Sequence, residues 1–318
     1  MKLPTINLHQ PTTLAEALNL ADKLGPGSHF LAGGTDLLAR LKRGAAKATE
    51  LISLVHITEL RQIRGLTIGG GVNLYSLLEV TDLPRQFRAL SQAAAVVAGP
   101  QVRNQGTLAG NLCQDTRCLF FDRSDRLVRA RPLCLKRGGE ECLAVPGSRK
   151  CFAVYQGDTA AALLALGAEV KLERPGGSRC LALADLFSGH GDRPLSLAPG
   201  EMLTQIILPQ PQPGVRSGYR KYRLRGGIDF PLAGVALNLI PPCPETPQGE
   251  VRVGLTGLSS RPIFLKMGGK VSPDELAEAV HRVARPVDNV GGQARHRRYM
   301  ACQMARDLLE ELRNEAAD

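Results

Sequence analysis

Apolar positions in the first half of the chain fall into short units that glycines close. Leu14, Ala17, Leu18, Ala21 and Leu24 share one helical face, predicting a helix over 14–24 with Thr12 or Thr13 as its N-cap. Phe30 and Leu31 lead into AGGTDLL (Ala32 to Leu38) and a helix reaching Arg43, and LISLVHI (Leu51 to Ile57) is an apolar run of strand length. Residues 5–58 thus read as a small α/β unit of strand, glycine turn, helix and strand. LTIGGGV (Leu66 to Val72) repeats the strand-to-glycine device before a helix-like Leu74 to Val80. AGPQVRNQGTLAGNLC (Ala98 to Cys113) supplies a third glycine turn after an Ala-rich helix over Phe87 to Val97.

The pattern resumes at Phe152. Gly157 and Asp158 precede an Ala/Leu helix over Thr159 to Leu166, where a carboxylate suits the positive end of the helix. A helical turn at Asp185 to Phe187 and a strand within Glu201 to Pro209 follow, and PQPQPG (Pro209 to Gly214) reads as an extended linker. Beyond it, strands are predicted over Gly218 to Arg225, Pro231 to Ile240 and Val251 to Ser259. Helices are predicted over Pro273 to Ala284, capped by Ser272, and over Gln293 to Leu312, with Arg295, Arg297 and Arg298 in its first turn. An antiparallel sheet under two helices fits that order, so the fold class is α+β.

At 318 residues the chain is long enough for two cores. It has no apolar run near the roughly 20 residues that cross a bilayer, and MKLPTINLHQP lacks a secretory pattern. A cytoplasmic location is expected, where clustered thiols favour metal or catalysis over disulfides. Forty Lys and Arg against 30 Asp and Glu give a net charge of +10. Aromatics are only 4% and Trp is absent, which disfavours base stacking on nucleic acid and leaves an anionic cofactor or an acidic protein as the expected partner.

Five of the eight cysteines fall between Cys113 and Cys151. Cys118, Cys134, Cys142 and Cys151 stand 16, 8 and 9 positions apart in a Gly- and Arg-rich segment without apolar periodicity. Such a segment cannot bury a core of its own, and four thiolates on one metal centre would fix it. Spacing leaves iron-sulfur, zinc and no metal all open. The only close pair is Cys113 with Cys118, and the compact ferredoxin spacing is absent. From Cys118 to Lys150 eight Arg and Lys, among them Arg126, Arg129 and Arg131, face four acids, so the loop is basic. Cys180, Cys243 and Cys302 read as structural. The three glycine turns together suggest a dinucleotide, since glycine lets backbone N–H groups approach a diphosphate.

AGGTDLL, TIGGG and VRNQGTLAGNLC, followed by GDTAAALLALGAEV and by YRKYRLRGGIDFPLAGVAL, resemble the FAD-binding subunit of the xanthine oxidase family of molybdenum hydroxylases. The resemblance spans essentially the whole chain. It implies a two-part FAD-binding domain of the PCMH (vanillyl-alcohol-oxidase-like) type over 1–213 and a C-terminal α+β domain over 214–318. The stretch 114–151, beginning after NLC, resembles the insertion of 4-hydroxybenzoyl-CoA reductase β subunits, which implies a 4Fe-4S cluster on Cys118, Cys134, Cys142 and Cys151 and leaves Cys113 beside the flavin. The likeness also implies that Leu31, Ala32, Gly33, Gly34, Thr35, Asp36 and Leu37 wrap the FAD pyrophosphate, with Thr35 and Asp36 near phosphate and ribose. Ala98, Gly106, Thr107, Gly110, Asn111 and Gln114 would line the flavin and ribityl chain, Asp158 would bond it, and Leu203 and Lys221 would touch the isoalloxazine from the far side. Ala109 stands where many relatives have Gly. No protein nucleophile is expected, because the cofactors carry the chemistry. The implied partners are a large molybdenum-cofactor subunit and a small 2Fe-2S subunit, in a dimer of heterotrimers, with an acidic ferredoxin as external carrier. A stand-alone flavin oxidase or dehydrogenase, and a zinc-bearing nucleic-acid module, are the rival readings.

Overall fold

The structure, a computed structural model, describes residues 3–80, 84–123, 132–244 and 246–315. Arg126, Arg129 and Arg131 of the basic stretch lie outside the described residues.

Among the described residues, the chain folds into three sheets and their helices. The first holds β1 (Asn7–His9), β2 (Ser28–Leu31) and β3 (Glu50–Ser53), all parallel in the order β1-β3-β2. Helix α1 (Leu14–Leu24) packs Ala17, Leu18 and Ala21 against Ile52. Thr13 is its cap, with Oγ1 accepting from the Glu16 N–H at 3.2 Å. The strand expected over Leu51 to Ile57 stops at Ser53, where Leu54 N–H turns to Leu31 O and a 3-10 turn follows at Thr58–Arg61.

The second sheet is antiparallel in the order β4-β5-β8-β6-β7, from Ile63–Arg64, Thr67–Gly69, Met202–Ile207, Glu169–Arg174 and Gly177–Ala182 respectively. The short helices are α2 (Leu37–Lys42), α3 (Ser76–Glu79), α4 (Arg88–Ala95), α5 (Pro100–Gln105) and α6 (Leu108–Leu112), of which α6 packs on β8. Helix α7 (Asp158–Leu166) is buried at every position, as an apolar sequence all round its circumference requires, and Gly167 closes it at φ 78°.

The third sheet holds β9 (Arg216–Tyr222), β10 (Ala233–Ile240), β11 (Glu250–Thr256) and β12 (Ile263–Gly268), antiparallel and paired in sequence order. The fourth strand was not expected: IFLKMG is half-buried along its length and carries little alternation. Val235, Leu237, Val251, Val253 and Leu255 point to helices α8 (Pro273–Val283) and α9 (Ala294–Asn314), while Ala236 on the other face meets α4 and α7. Ser272 caps α8 in a reciprocal capping box with Glu275. Arg297, expected in the first turn of the last helix, lies there and is fully buried. Its guanidinium donates to Leu232 O and Val287 O, each at 3.0 Å, and to Gly257 O. Cys302 is buried and Cys243 half-buried, but Cys180 lies exposed on β7.

Candidate functional site

Two of the glycine turns face each other across one cleft of about 300 Å³, open to solvent and roomier than a single anion needs. One wall is the β2–α2 turn. Gly34 adopts φ +69°, a conformation that costs most side chains, and a Cβ on Gly33 would lie 1.8 Å from Gln105 O. Gly33 is therefore required by the opposing α5–α6 segment, and the two turns sit backbone against backbone. The second turn in sequence, Gly69 to Gly71, lies behind them as scaffold. It bonds Ala109 N–H to Gly70 O at 3.0 Å and Gly70 N–H to Thr204 O at 2.7 Å, and Cβ atoms there would strike Leu60 O and Leu203 O. Ala109 has ordinary helical geometry inside α6, so a side chain is accommodated.

Leu31, Ala32, Gly33, Gly34, Thr35, Asp36 and Leu37 all line the cleft, as do Ala98, Gly106, Thr107, Gly110, Asn111 and Gln114. Its floor is pinned from below. Thr107 Oγ1 caps α6 by accepting from Gly110 N–H at 3.1 Å, and Asn111 Oδ1 accepts from Thr159 Oγ1 at 2.6 Å. Gln114 Nε2 donates to Asn111 O at 2.8 Å, and Tyr155 OH donates to Leu112 O at 2.8 Å. Cys113 also lines the cleft, and burial pushes its thiol up to about 12.

Asp158, Leu203 and Lys221 do not reach the cleft surface. Leu203 points into the second sheet's core, 4% exposed. Asp158 and Lys221 form a buried ion pair at 3.1 Å behind the wall, with side chains 4% and 3% exposed. Tyr219 OH donates to Asp158 Oδ1 at 2.7 Å. Burial raises the Asp158 carboxyl above its ordinary value and lowers the Lys221 ammonium, while their mutual attraction opposes both shifts. Lys221 also donates to Val96 O at 2.9 Å, and Arg103 donates to Val97 O and Ala98 O at 2.9 and 3.2 Å. These cations clamp the turn that carries Ala98, which has φ 43°, the one positive value at a non-glycine among the described residues.

Arg117 closes the cleft on the side of the insertion. It donates to Asp36 Oδ1 at 2.6 Å, stacks its guanidinium 3.6 Å from the Phe230 ring centroid, and its backbone bonds Val154 in both directions at 2.8 Å. Asp36 is thereby paired with an arginine instead of standing free at the turn. Phe230 belongs to the β9–β10 loop, so three separate parts of the chain meet at one side chain.

The next residue, Cys118, opens a second, enclosed pocket. Cys118, Cys134, Cys142 and Cys151, each 5–8% exposed, line it together with Phe120, Phe121, Lys136 and four small or aliphatic neighbours, Leu135, Leu143, Ala144 and Ala153. Burial raises the Cys118 thiol to about 11 and also raises Cys151, whose shift is opposed by the Ala153 N–H and the Lys136 charge. Among the described residues no three His, Cys, Asp or Glu are grouped to hold a metal ion. A single tetrahedral zinc needs four sulfurs converging at about 2.3 Å on one point. The cavity that the four thiols line is small, about 10 Å³.

Residues 4–211 match the family described as the FAD binding domain in molybdopterin dehydrogenase. The chain belongs to that family. As a member it is an FAD-binding subunit of the molybdenum hydroxylase group, and every residue lining the cleft except Phe230 lies within the matched stretch. The aldehyde oxidoreductase FAD-binding subunit PaoB of Escherichia coli is 33% identical over 299 residues, covering 86% of this chain and 89% of that protein. The carbon monoxide dehydrogenase medium chain of Afipia carboxidovorans is 25% identical over 329 residues, covering 98% of each. A crystal structure of Cu,Mo-CO dehydrogenase, cyanide-inactivated, superposes with a TM-score of 0.77 at 25% identity over 99% of this chain and 100% of that one. The molybdopterin-dehydrogenase likeness extends past residue 211 into the third sheet, as those two full-length matches show.

Proposed function

We propose that the chain is the electron-transfer subunit of a molybdenum hydroxylase or reductase of the 4-hydroxybenzoyl-CoA reductase kind, carrying a 4Fe-4S cluster beside its FAD. The observation that carries this reading is the pocket of four buried cysteines beginning one residue after Arg117, which itself closes the cofactor cleft. The donor set suits a cluster: four thiols, an apolar wall and one cation, although Cys118, Cys134 and Cys151 also pack with Phe121 and Ala153 in a small apolar core that the sequence did not predict. When bound, the cluster passes single electrons and the flavin joins one-electron to two-electron chemistry.

The residues' tasks are to hold, orient and exclude water. Gly33 and Gly34 bring backbone N–H groups to the pyrophosphate, with Thr35 beside it. Ala98, Gly106, Thr107, Gly110, Asn111 and Gln114 shape the seat of the flavin and ribityl chain. Leu31, Ala32 and Leu37 cover the dinucleotide with apolar surface, while Asp158, Lys221 and Leu203 support that seat from behind. Large molybdenum and small 2Fe-2S partner subunits, in a dimer of heterotrimers, agree with relatives named medium chains and FAD-binding subunits. The chain's +10 charge suits an acidic ferredoxin-like carrier. None of its helices, among the described residues, is long and apolar enough to cross a membrane.

Anaerobic purification with flavin, iron, sulfide and zinc assays tests the reading. One FAD with about four iron and four sulfide per chain is expected. Cys134→Ser should lose the iron and keep the flavin. A yellow wild-type protein without iron, or full iron in the variant, refutes the ligand set.

A further inference from the structure

Between the cysteine pocket and the cofactor cleft lies a line of alternating charge. Lys136 lines the cysteine pocket, and its side chain is 6% exposed. Its three ammonium hydrogens have three oxygens within reach: Asp115 Oδ1 at 2.6 Å, Thr116 Oγ1 at 2.5 Å and Thr116 O at 3.1 Å. The Phe121 ring, also in the pocket wall, lies 4.7 Å from the same nitrogen. The other oxygen of Asp115 pairs with Arg40, and Asp115 and Arg40 both line the cofactor cleft. Thr116 is held in turn, donating its hydroxyl to Gly191 O.

A lysine in such a position is fixed. Every N–H donor is used, so the ammonium cannot swing to solvent, and at this burial it is screened far less than a surface lysine. Among the described residues, Lys136 is the one charged side chain on the wall of a pocket otherwise made of thiols, rings and aliphatic groups. A 4Fe-4S centre bound by four thiolates gains one negative charge on one-electron reduction, and a fixed cation stabilises that more negative state. Asp115 acts in the opposite sense, because its carboxylate partly cancels the cation.

We propose that Lys136 sets the reduction potential of the cluster held by the four cysteines, with Asp115 as its counterweight; this rests on the cluster reading above. Lys136 raises the potential and Asp115 lowers it. Arg40, on the far side of Asp115, carries the same charge line to the wall of the flavin cleft.

The test is an anaerobic potentiometric titration of the whole chain with dithionite as the one-electron source, following the cluster by EPR and the flavin by absorbance. Lys136→Met should lower the fraction of reduced cluster at a fixed potential about tenfold, a shift of about 59 mV for a one-electron couple. Asp115→Asn should shift the cluster in the opposite direction, and Lys136→Arg should restore most of the wild-type value. Iron and sulfide are counted in each protein first. A wild type without iron overturns the cluster reading and this inference with it. A wild type with iron but a Lys136→Met variant without it makes Lys136 structural and overturns the tuning role. Full iron in all variants with unchanged potentials, or with both variants moving in one direction, also overturns it while leaving the cluster intact.

Discussion

The Lys221 ion pair offers the most exposing perturbation of the cleft wall. Lys221→Met removes the ammonium and keeps a side chain of similar length, so packing is largely preserved. What remains is a carboxylate 4% exposed, with only the Tyr219 hydroxyl to satisfy it. Breaking a buried pair from one side costs about 3–5 kcal/mol, because the surviving charge stays desolvated. At about 2–4 °C per kcal/mol for a domain of this size, the melting temperature should fall by roughly 6–20 °C.

The same substitution strips Val96 O of its 2.9 Å donor and loosens the turn holding Ala98 at φ 43°. A left-handed alanine costs about 1–2 kcal/mol and persists only while its surroundings enforce it. Relaxation of that turn should weaken FAD binding about tenfold, equivalent to about 1.4 kcal/mol. Thermal unfolding followed by protein fluorescence and by flavin release reads the two effects separately. Adding Asp158→Leu to Lys221→Met should recover most of the melting temperature and none of the flavin affinity, since Val96 O still lacks the lysine. If Lys221→Met melts no lower than Lys266→Met, whose side chain is 56% exposed, the pair does not brace the wall and the reasoning is refuted.

Three further outcomes are expected. Burial places the folded Asp158 carboxyl above its unfolded value, so its stabilising contribution is fully present below the unfolded value and is lost as pH rises through the folded one. Wild type should therefore gain on Asp158→Asn as pH falls across that window, read as the difference in melting temperature over a pH series. Gly34→Val should release the flavin, because φ +69° excludes a β-branched side chain and its Cβ would meet Leu38 Cδ1 at 2.9 Å; normal FAD content in the purified variant would remove the pyrophosphate assignment. Arg297→Met should destabilise the third sheet by about 1–3 kcal/mol for each carbonyl left unpaired, measured by denaturant unfolding, with the cysteine pocket and FAD retained.

The sequence showed what period and glycine chemistry control. Helices α1, α8 and α9 and strands β9 to β11 follow apolar spacing and named caps, and both glycine turns of the cleft were visible because φ > 0 and close backbone approach admit little else. Elements held by partners distant in sequence were not. Strand β1 is three residues long and exists through its pairing with β3, and β12 is an edge strand completed by β11. Leu203 alternates with its neighbours in β8, and only the register with β6 decides that its side chain faces the core. Arg117 and Lys136 carry no local signal, since their partners lie 81, 113 and 21 positions away at Asp36, Phe230 and Asp115.

The third sheet bears on how the cleft can open. It is buried on both faces: α8 and α9 cover one, and α4 and α7 of the FAD-binding part cover the other through Ala89, Ala93, Ala161, Ala162, Ala165 and Ala236. Apart from Tyr219 and Val96 that seam is made of alanines, and a Cβ on Gly254 would come within 1.9 Å of Ala161 O, so helix and strand already touch through their backbones. Close-packed surfaces of this kind do not slide without losing contacts along their whole length. The PQPQPG segment is thus a covalent joint between parts locked by packing, and rigid-body opening about it is costly. The cleft's border is most exposed at the β9–β10 loop, where Leu224 and Ile228 are each 62% exposed and Phe230, which lines the cleft, is 41% exposed. Arg117, the residue before Cys118, holds that loop at Phe230 through its guanidinium.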